Sequence, residues 1–249
     1  MDHTLSSLKL GRSSNGEVGP PLTIEQKISM INATAFLGIP ANRELDLPLT
    51  AEQKISMIDA AAEKISELLD ILRIDHRHDP NTCETPRRVA RMYVDELLAG
   101  RFCSPPTITK FDSAETFEDL IVTGPIEFRS TCAHHLMPIY GTAIIGVVPA
   151  DGRLIGLSKY DRVVHHFAKR FQVQEELVNQ IGKFLVETTA PRGLAVRIKA
   201  VHMCKTHRGV LASHNSHMIT SAYFGDMRTD AALKAEFLQE CQGLEQSRS

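Results

Sequence analysis

Two short segments of the sequence combine cysteine with histidine, the residues that most often bind zinc. The first is CAHH at 132–135 and the second is HMC at 202–204. In a turn with the spacing C-x-x-H, Cys132 and His135 can reach one ion while His134 points elsewhere. Cys204 would be the third ligand, and three protein ligands leave the fourth position of a catalytic zinc site for water. The alternative is two unrelated thiols and several ordinary imidazoles, because a short C-x-x-H-H pattern is weak evidence by itself.

The residues before Cys204 favour the metal site over this alternative. Residues 193–204 alternate between apolar and polar side chains, a pattern that predicts a β-strand. Side chains on a strand repeat every two residues, so His202 and Cys204 would share one face with Val196, Ile198 and Ala200. The sequence therefore predicts that His202 stands beside the proposed third ligand.

Four segments, in this order, resemble the signature segments of the GTP cyclohydrolase I family. They are STCAHHLMP at 130–138, IGLSKYDR at 155–162, QVQEEL at 172–177 and HMCKTHRG at 202–209. The resemblance extends from about residue 79 to about residue 238. It implies a zinc-dependent enzyme that converts GTP and water to formate and 7,8-dihydroneopterin triphosphate. Its implied zinc ligands are Cys132, His135 and Cys204, and its implied catalytic acid/base residues are His134 and His202.

The same resemblance implies the substrate contacts. Glu175 would accept hydrogen bonds from the guanine N1–H and 2-amino groups, a pair of donors that adenine lacks. Arginine suits the triphosphate because its guanidinium group can bind phosphate oxygens in pairs. Taken singly, each cation would most simply be a solvated surface charge. The full set of implied substrate-binding residues is Ser158, Lys159, Arg162, Gln174, Glu175 and Arg208. In addition, Ser158 is predicted to cap a helix on which Lys159 and Arg162 are neighbours at i, i+3.

Composition limits the classes of protein to be considered. A hydrophobic content of 43% and a charged content of 23% are typical of a soluble globular protein. A net charge of −2 argues against a general nucleic-acid or membrane-surface binder, since both usually carry a basic excess. The five cysteines do not form a closely spaced disulfide framework, and no apolar run approaches the roughly 20 residues that span a membrane. We therefore expect a cytoplasmic protein that binds neither nucleic acid nor membrane.

Hydrophobic periodicity predicts the elements that must position these residues. Two consecutive helices between strand hairpins predict an α+β fold whose antiparallel sheet carries its helices on one face. The family resemblance implies the tunnelling fold (T-fold), in which subunits join their sheets into a barrel within a ring-shaped homo-oligomer, expected to be a decamer. The predicted helices are 50–74, 85–98, 158–171, 174–187 and 230–242, and the predicted strands are 120–128, 140–148, 154–157, 195–203 and 218–224.

Three parts are expected along the chain. Residues 1–47 form a partly disordered N-terminal arm, residues 48–110 a helical region, and residues 111–245 the catalytic T-fold domain. The arm contains an internal repeat, because PLTIEQKISMI at 21–31 recurs as PLTAEQKISMI at 48–58. One duplicated pair is too short for a solenoid, so we interpret the first copy as a redundant helix. The alternative is a partner-binding or regulatory arm.

The sequence departs from the family pattern at three places. Ala133 stands where the family usually has Glu, His207 stands where it has an apolar or small residue, and SHNSH at 213–217 replaces a Thr-rich run. None of these changes removes an implied zinc ligand, but the loss of a carboxylate at position 133 would alter proton handling beside the metal. Two alternatives therefore stay open. One is a paralogue that releases a ring-opened pyrimidine, and the other is a weakly active GTP-binding regulatory subunit.

Overall fold

The computed structural model describes residues 48–112, 117–150 and 152–246. The predicted N-terminal arm, with the first copy of the repeat, lies outside these residues. None of the helices in the described part has both the length and the apolar character needed to cross a membrane.

Two helices form the N-terminal region. Helix α1 (Ala51–Ile71) begins at a capping box, in which the Gln53 amide donates to Thr50 Oγ1 and the Thr50 amide donates to Gln53 Oε1. Helix α2 (Thr85–Arg91) has proline in its first turn, where no amide donor is needed. The predicted helix 85–98 continues as a π-helical turn over Met92–Leu97 and a short 3-10 turn. The two helices pack through a small apolar cluster centred on Ile58, Ala90, Val94 and Phe102.

A five-stranded sheet forms the centre of the remaining chain. Its strands are β2 (Ile121–Cys132), β3 (Pro138–Val148), β5 (Phe171–Gln172), β6 (Gly193–His202) and β7 (His217–Gly225), in the order β5-β2-β3-β6-β7. All neighbours are antiparallel except β5 and β2, which are parallel. Strands β1 (Lys110–Asp112) and β4 (Arg153–Ile155) pair separately. The predicted α+β class with an antiparallel sheet is confirmed.

Helices cover both faces of the sheet. Helices α3 (Ser158–Ala168) and α4 (Gln174–Thr189) bury their apolar stripes on one face, where Val164 and Ile181 meet Val196 and Ile198 in the main core. The short helices α5 (Met203–Thr206) and α6 (Asp226–Thr229) follow β6 and β7. The C-terminal helix α7 (Ala231–Gln246) packs on the opposite face through Phe237. The prediction that helices lie on one face is therefore correct for α3 and α4 and wrong for α7.

Candidate metal centre and active site

The hairpin between β2 and β3 presents the first two candidate ligands. Cys132 is the last residue of β2, and its side chain is only 3% exposed. The turn is closed at both ends, because the Cys132 amide donates to the Met137 carbonyl and the Leu136 amide donates to the Cys132 carbonyl. Leu136 adopts the left-handed conformation, with φ of 54°. His135 lies inside this closed turn with an exposed side chain.

Cys204 reaches the hairpin from a helical turn and not from a strand. Strand β6 ends at His202, and Cys204 belongs to α5, whose end is marked by a hydrogen bond from the His207 amide to the Met203 carbonyl. The prediction that Cys204 continues the face of the strand is therefore wrong. The pairing of His202 with Ile139 of β3 still brings the start of α5 to the base of the hairpin.

The three candidate ligands meet at one point. A ligand atom from each of Cys132, His135 and Cys204 lies within 4.8 Å of the others. Zinc bonds of about 2.0–2.3 Å require neighbouring ligand atoms to be somewhat less than 4 Å apart, so small side-chain movements would complete the geometry. Two thiolates and one imidazole leave a fourth position open, as in catalytic zinc sites. Within the described part of the chain, this is the one group of such residues that fits a metal ion.

The surroundings of Cys204 affect the protonation of its thiol. Burial raises the pKa of its thiol, and the neighbouring Cys132 raises that pKa further by hydrogen bonding and charge repulsion. The nearby charge of Arg208 acts in the opposite direction. A divalent cation bound between the two sulfur atoms would favour both thiolates, because a coordinated thiol loses its proton.

Gln174 holds His202 in one orientation. The Gln174 side chain is 1% exposed, and its Nε2, which carries two N–H donors, lies within hydrogen-bond distance of the carbonyl oxygens of Ile198 (3.3 Å) and Met218 (3.1 Å) and of Thr220 Oγ1 (3.1 Å). Because acceptors surround the amide nitrogen, the amide oxygen faces the Nε2 atom of His202 at 2.7 Å. This network assigns the proton to His202 Nε2, since an amide oxygen can only accept.

With the proton placed on Nε2, the neutral form of His202 has its free lone pair on Nδ1. Burial lowers the pKa of His202, and the charge of Lys205 lowers it further, whereas the carboxylate of Glu175 opposes this shift. A neutral imidazole is the form that can accept a proton near neutral pH.

His134 lies outside the three-ligand group, as the C-x-x-H spacing predicts. Its side chain is exposed, and its Nδ1 lies 3.9 Å from Cys132 Sγ. The rings of His134 and His135 diverge, with centroids 6.5 Å apart and an interplanar angle of 67°. His134 is thus beside the candidate ligands and open to a bound molecule.

Two of the predicted substrate-binding residues lie at this end of the sheet. Glu175 is exposed in the first turn of α4, which starts directly after β5, and the Gln172 position of β5 pairs with Cys132. Arg208 is exposed two residues after α5. Gln174, predicted to touch the substrate, is instead buried with its amide bonded to protein atoms.

The other predicted phosphate-binding residues lie elsewhere in the chain. Ser158, Lys159 and Arg162 occupy the first turns of α3, next to Tyr160. Tyr160 lines a groove with Ile121 at the opposite end of β2 from Cys132, and β2 would span about 35 Å if it were straight. One chain alone therefore does not bring these cations to the Cys–His–Cys group.

The local structure at the start of α3 also differs from the prediction. Ser158 is the first helical residue, and the preceding Leu157 makes no side-chain cap, so the predicted Ser158 cap is wrong. Lys159 Nζ donates to the Thr107 carbonyl at 2.9 Å. Among the residues that the structure describes, Arg162 and Arg208 have no carboxylate within ion-pair distance, which leaves both guanidinium groups available to an anion.

Sequence reasoning missed the residues that support the site. Gln172 is 2% exposed, its Nε2 donates to the Phe167 carbonyl and to Gln180 Oε1, and its carbonyl accepts from the Ala133 amide. Thr220 supplies an acceptor to Gln174. A signal was present for Gln172, because it lies between the apolar residues Phe171 and Val173.

Comparisons with known proteins agree with this geometry. The chain matches the family model described as GTP cyclohydrolase I over residues 61–242. Proteins named GTP cyclohydrolase 1 from Shewanella baltica (strain OS185) and Shewanella oneidensis are 39% identical over 177 residues, which cover 71% of this chain and 81% of each relative. The solved apo structure of the archaeosine synthase QueF-Like covers 49% of this chain and 97% of its own, with 12% identity and a TM-score of 0.33, too low to bear on the fold.

The matched region contains both halves of the Cys–His–Cys group, the helix that carries Gln174 and Glu175, and the arginine that follows α5. The match extends over most of the described chain, and the relatives are aligned over most of their own length. The chain therefore belongs to the GTP cyclohydrolase I family.

Proposed function

We propose that the protein is a zinc-dependent GTP cyclohydrolase I, which converts GTP and water to formate and 7,8-dihydroneopterin triphosphate. The observation that carries this proposal is the meeting of Cys132, His135 and Cys204 within 4.8 Å. His202 ends β6 two residues before Cys204, in a chain of this family. Formate release requires water to attack C8 of guanine, a reaction for which a metal site with an open position and an adjacent proton acceptor are suited.

Cys132, His135 and Cys204 would hold the zinc ion. When bound, zinc supplies a nucleophile at neutral pH by lowering the pKa of its water to about 7. The closed β2–β3 turn keeps the first two ligands in place before any ion binds. The third ligand is positioned by α5.

His202 and His134 would handle the protons of ring opening. Gln174 orients His202 and occupies its Nε2–H, so Nδ1 is the atom that accepts a proton and returns it. Partial burial lowers the pKa of His202, which favours the form whose Nδ1 can accept a proton. His134 is exposed next to Cys132 and would serve as the second imidazole.

Glu175 would select guanine. Its carboxylate is exposed close enough to His202 to influence the pKa of that imidazole. A carboxylate in this position accepts from the N1–H and 2-amino groups of guanine, whereas adenine presents an acceptor at N1.

The triphosphate would be bound by residues of two subunits. Arg208 lies near Cys204 in the same chain, whereas Lys159 and Arg162 lie at the opposite end of β2. A neighbouring copy can supply these cations, and this supports the ring-shaped homo-oligomer, proposed to be a decamer. Leu157 (67% exposed) and Leu211 (69% exposed) adjoin the two groups of residues and favour a covered surface.

The sheet edges also favour assembly. Strand β7 is one edge, and β5 pairs only with Thr131 and Cys132 of β2, so residues 121–130 of β2 have no strand partner on that side among the described residues. Exposed strand edges can pair with the edge strand of another chain, and closure into a barrel removes them.

We also propose that the domain boundaries lie between residues 47 and 48 and between residues 110 and 111.

A second candidate is a paralogue that opens the ring but releases a pyrimidine. Ala133 favours it, because a methyl group replaces a carboxylate next to Cys132, and the Ala133 amide is already bonded to the Gln172 carbonyl. Incubation of the purified protein with GTP, with pterin fluorescence and formate measured in parallel, separates the two. Formate with pterin supports GTP cyclohydrolase I, and formate without pterin supports the paralogue.

A regulatory subunit with weak activity would give neither result. The retention of His134, His202 and all three candidate ligands argues against it. Expression of the protein alone in a strain that lacks its own cyclohydrolase tests this point, because a regulatory subunit would not restore growth.

A further inference from the structure

The first two turns of α1 pack on a defined apolar surface. We call this the α1-binding surface; it consists of Ala90, Val94, Leu98 and Phe102. Ile58 is buried against it at 6% exposure, with Leu49 and Met57 packed at its border. The Leu49 amide also donates to the Phe102 carbonyl. These contacts, together with the Thr50–Gln53 capping box, fix where the helix begins.

The first copy of the repeat contains every one of these docking residues. Residues 21–31 and 48–58 differ only at Ile24 and Ala51, and Ala51 is exposed. The side chains that dock or cap in the second copy have identical counterparts 27 residues earlier, namely Leu22, Thr23, Gln26, Met30 and Ile31. None of the residues in 48–58 that contact the α1-binding surface distinguishes the two copies, whereas Ala61 in the next turn corresponds to Thr34.

The copies diverge after Ile58, at the start of the third turn of α1. Asp59, which forms an ion pair with Arg87, corresponds to Asn32. Ile65, which packs against the cluster, corresponds to Gly38, and Glu67 corresponds to Pro40, which would end a helix. The second copy is therefore the stronger occupant, because it alone continues the packing for two further turns.

We propose that residues 21–31 are a second occupant of the α1-binding surface and replace residues 48–58 in the same chain when those residues detach. The replacement loops out about 27 residues, and the entropic cost of closing a loop grows only slowly with its length. Identical anchors dock in the same places, and the capping box can form again at Thr23 and Gln26. This replacement is independent of the catalytic site and gives the duplicated segment the role of a substitute for the first part of α1.

Hydrogen–deuterium exchange on the full-length protein tests the replacement. In the variant Ile58→Asp, a charge is placed at the buried anchor of the second copy. Protection of residues 48–58 against exchange should fall by about tenfold or more, while protection of residues 21–31 rises by a similar factor. The reason is that the protection of a segment reports how rarely that segment opens. Peptides from the two copies are distinguishable because Ile24 and Ala51 give them different masses.

Two further variants make the test specific. Ile55→Asp introduces the same charge at a position that is 55% exposed, and it should change neither segment. The double variant, which combines Ile31→Asp with Ile58→Asp, removes both buried anchors. Protection of α2 against hydrogen exchange should then be about tenfold lower than in either single variant. Ile58→Ala serves as the milder change if Ile58→Asp does not fold.

The outcome of the single variant decides the proposal. A gain of protection at residues 21–31, with α2 kept within about threefold of the original protein, supports it. A loss at residues 48–58 without a gain at residues 21–31, or equal loss in α2 for the single and double variants, overturns it.

Discussion

At the residue scale, the cysteines of this chain differ in their surroundings. Cys132 and Cys204 lie together beside His135, whereas Cys83 is exposed and donates only a long hydrogen bond, 3.6 Å, to the Pro80 carbonyl. The same substitution at a ligand and at this exposed thiol therefore separates the effect of metal binding from the effect of losing a thiol.

Cys204→Ser should abolish stable zinc binding, because two ligands do not hold the ion as three do. We expect zinc content, measured by elemental analysis after gel filtration, to fall from about one to below about 0.1 per subunit, with activity reduced at least about 100-fold. Cys83→Ser is the control and should keep both values. Equal zinc content in the two variants would contradict the assignment of Cys204.

Gln174 gives a second prediction at this scale, since the structure makes it a support for His202 and not a substrate contact. Gln174→Met removes the hydrogen bond to His202 while keeping the length of the side chain. We expect kcat to fall about 10- to 100-fold with KM for GTP changed less than about threefold. Glu175→Gln, which alters the proposed guanine contact, should raise KM instead. If Gln174→Met acts mainly on KM, Gln174 binds substrate directly.

The candidate ligands could be predicted from residue type and spacing, but their supports could not. The C-x-x-H pattern and the H-x-C segment are local, so they are visible in the sequence. The contacts of Gln174 join α4 to β6 and β7 across 24 to 46 positions of the chain, and only the sheet register brings those positions together.

At the scale of elements, the pairing of β3 with β6 carries His202 to the hairpin. Gly141 permits this pairing, because a Cβ atom there would lie 2.1 Å from the Lys199 carbonyl oxygen. Gly141 is two positions along β3 from Ile139, which pairs with His202. Close packing of these two strands is therefore required near the candidate metal centre.

Gly141→Ala should destabilise the protein by about 2–3 kcal/mol, since the strands must move apart to admit the methyl group. Gly243→Ala is the matched control, because nothing lies within 4 Å of its Cβ position and it is in α7. The control should increase the unfolding free energy by about 0.5–1 kcal/mol. Urea denaturation measures both changes. Equal effects of the two substitutions would show that the strands are not held this closely.

Periodicity predicted these elements well where a single pattern applied. Strand β3 and helices α1, α3 and α4 lie where alternation or apolar stripes indicated them. The end of β6 was missed because Met203 and Cys204 continue the alternation, while the structure turns the chain into α5. Helix α7 was predicted at the correct place in the chain, but the face of the sheet that it covers was not predicted. Connectivity alone does not show which face a C-terminal helix covers.

At the scale of the whole molecule, two of the proposed phosphate-binding residues, Lys159 and Arg162, lie at the opposite end of the subunit from the candidate metal centre. Arg162→Ala and Cys204→Ser should each inactivate a uniform oligomer. A head-to-tail interface pairs different surfaces of neighbouring copies, so each site would take its ligand half from one copy and its phosphate half from the next. When equal amounts of the two variants are dissociated and reassembled together, about a quarter of the sites would combine an unaltered ligand half with an unaltered phosphate half.

We therefore expect the mixed oligomer to recover roughly a quarter of the original activity. His202→Ala mixed with Cys204→Ser is the control, and it should recover none because both changes affect the same half. Absence of recovery in the first mixture, with assembly confirmed by light scattering, would place the whole site within one subunit.

The N-terminal arm should not be needed for assembly. A protein starting near Pro48 keeps the second copy of the repeat, which supplies α1 and its contacts with Phe102. Size-exclusion chromatography with light scattering should give the same number of subunits for this variant and for the full chain. A truncated protein that dissociates would show that residues before Pro48 contribute to the oligomer.

The most direct test of the proposed function is the stoichiometry of products in the presence and absence of zinc. The protein as purified should convert each GTP to one formate and one fluorescent pterin. Removal of zinc with a chelator should abolish both products, and added zinc should restore both together. Formate without pterin, or product formation by protein shown to be free of metal, would contradict the assignment of this chain as a zinc-dependent GTP cyclohydrolase I.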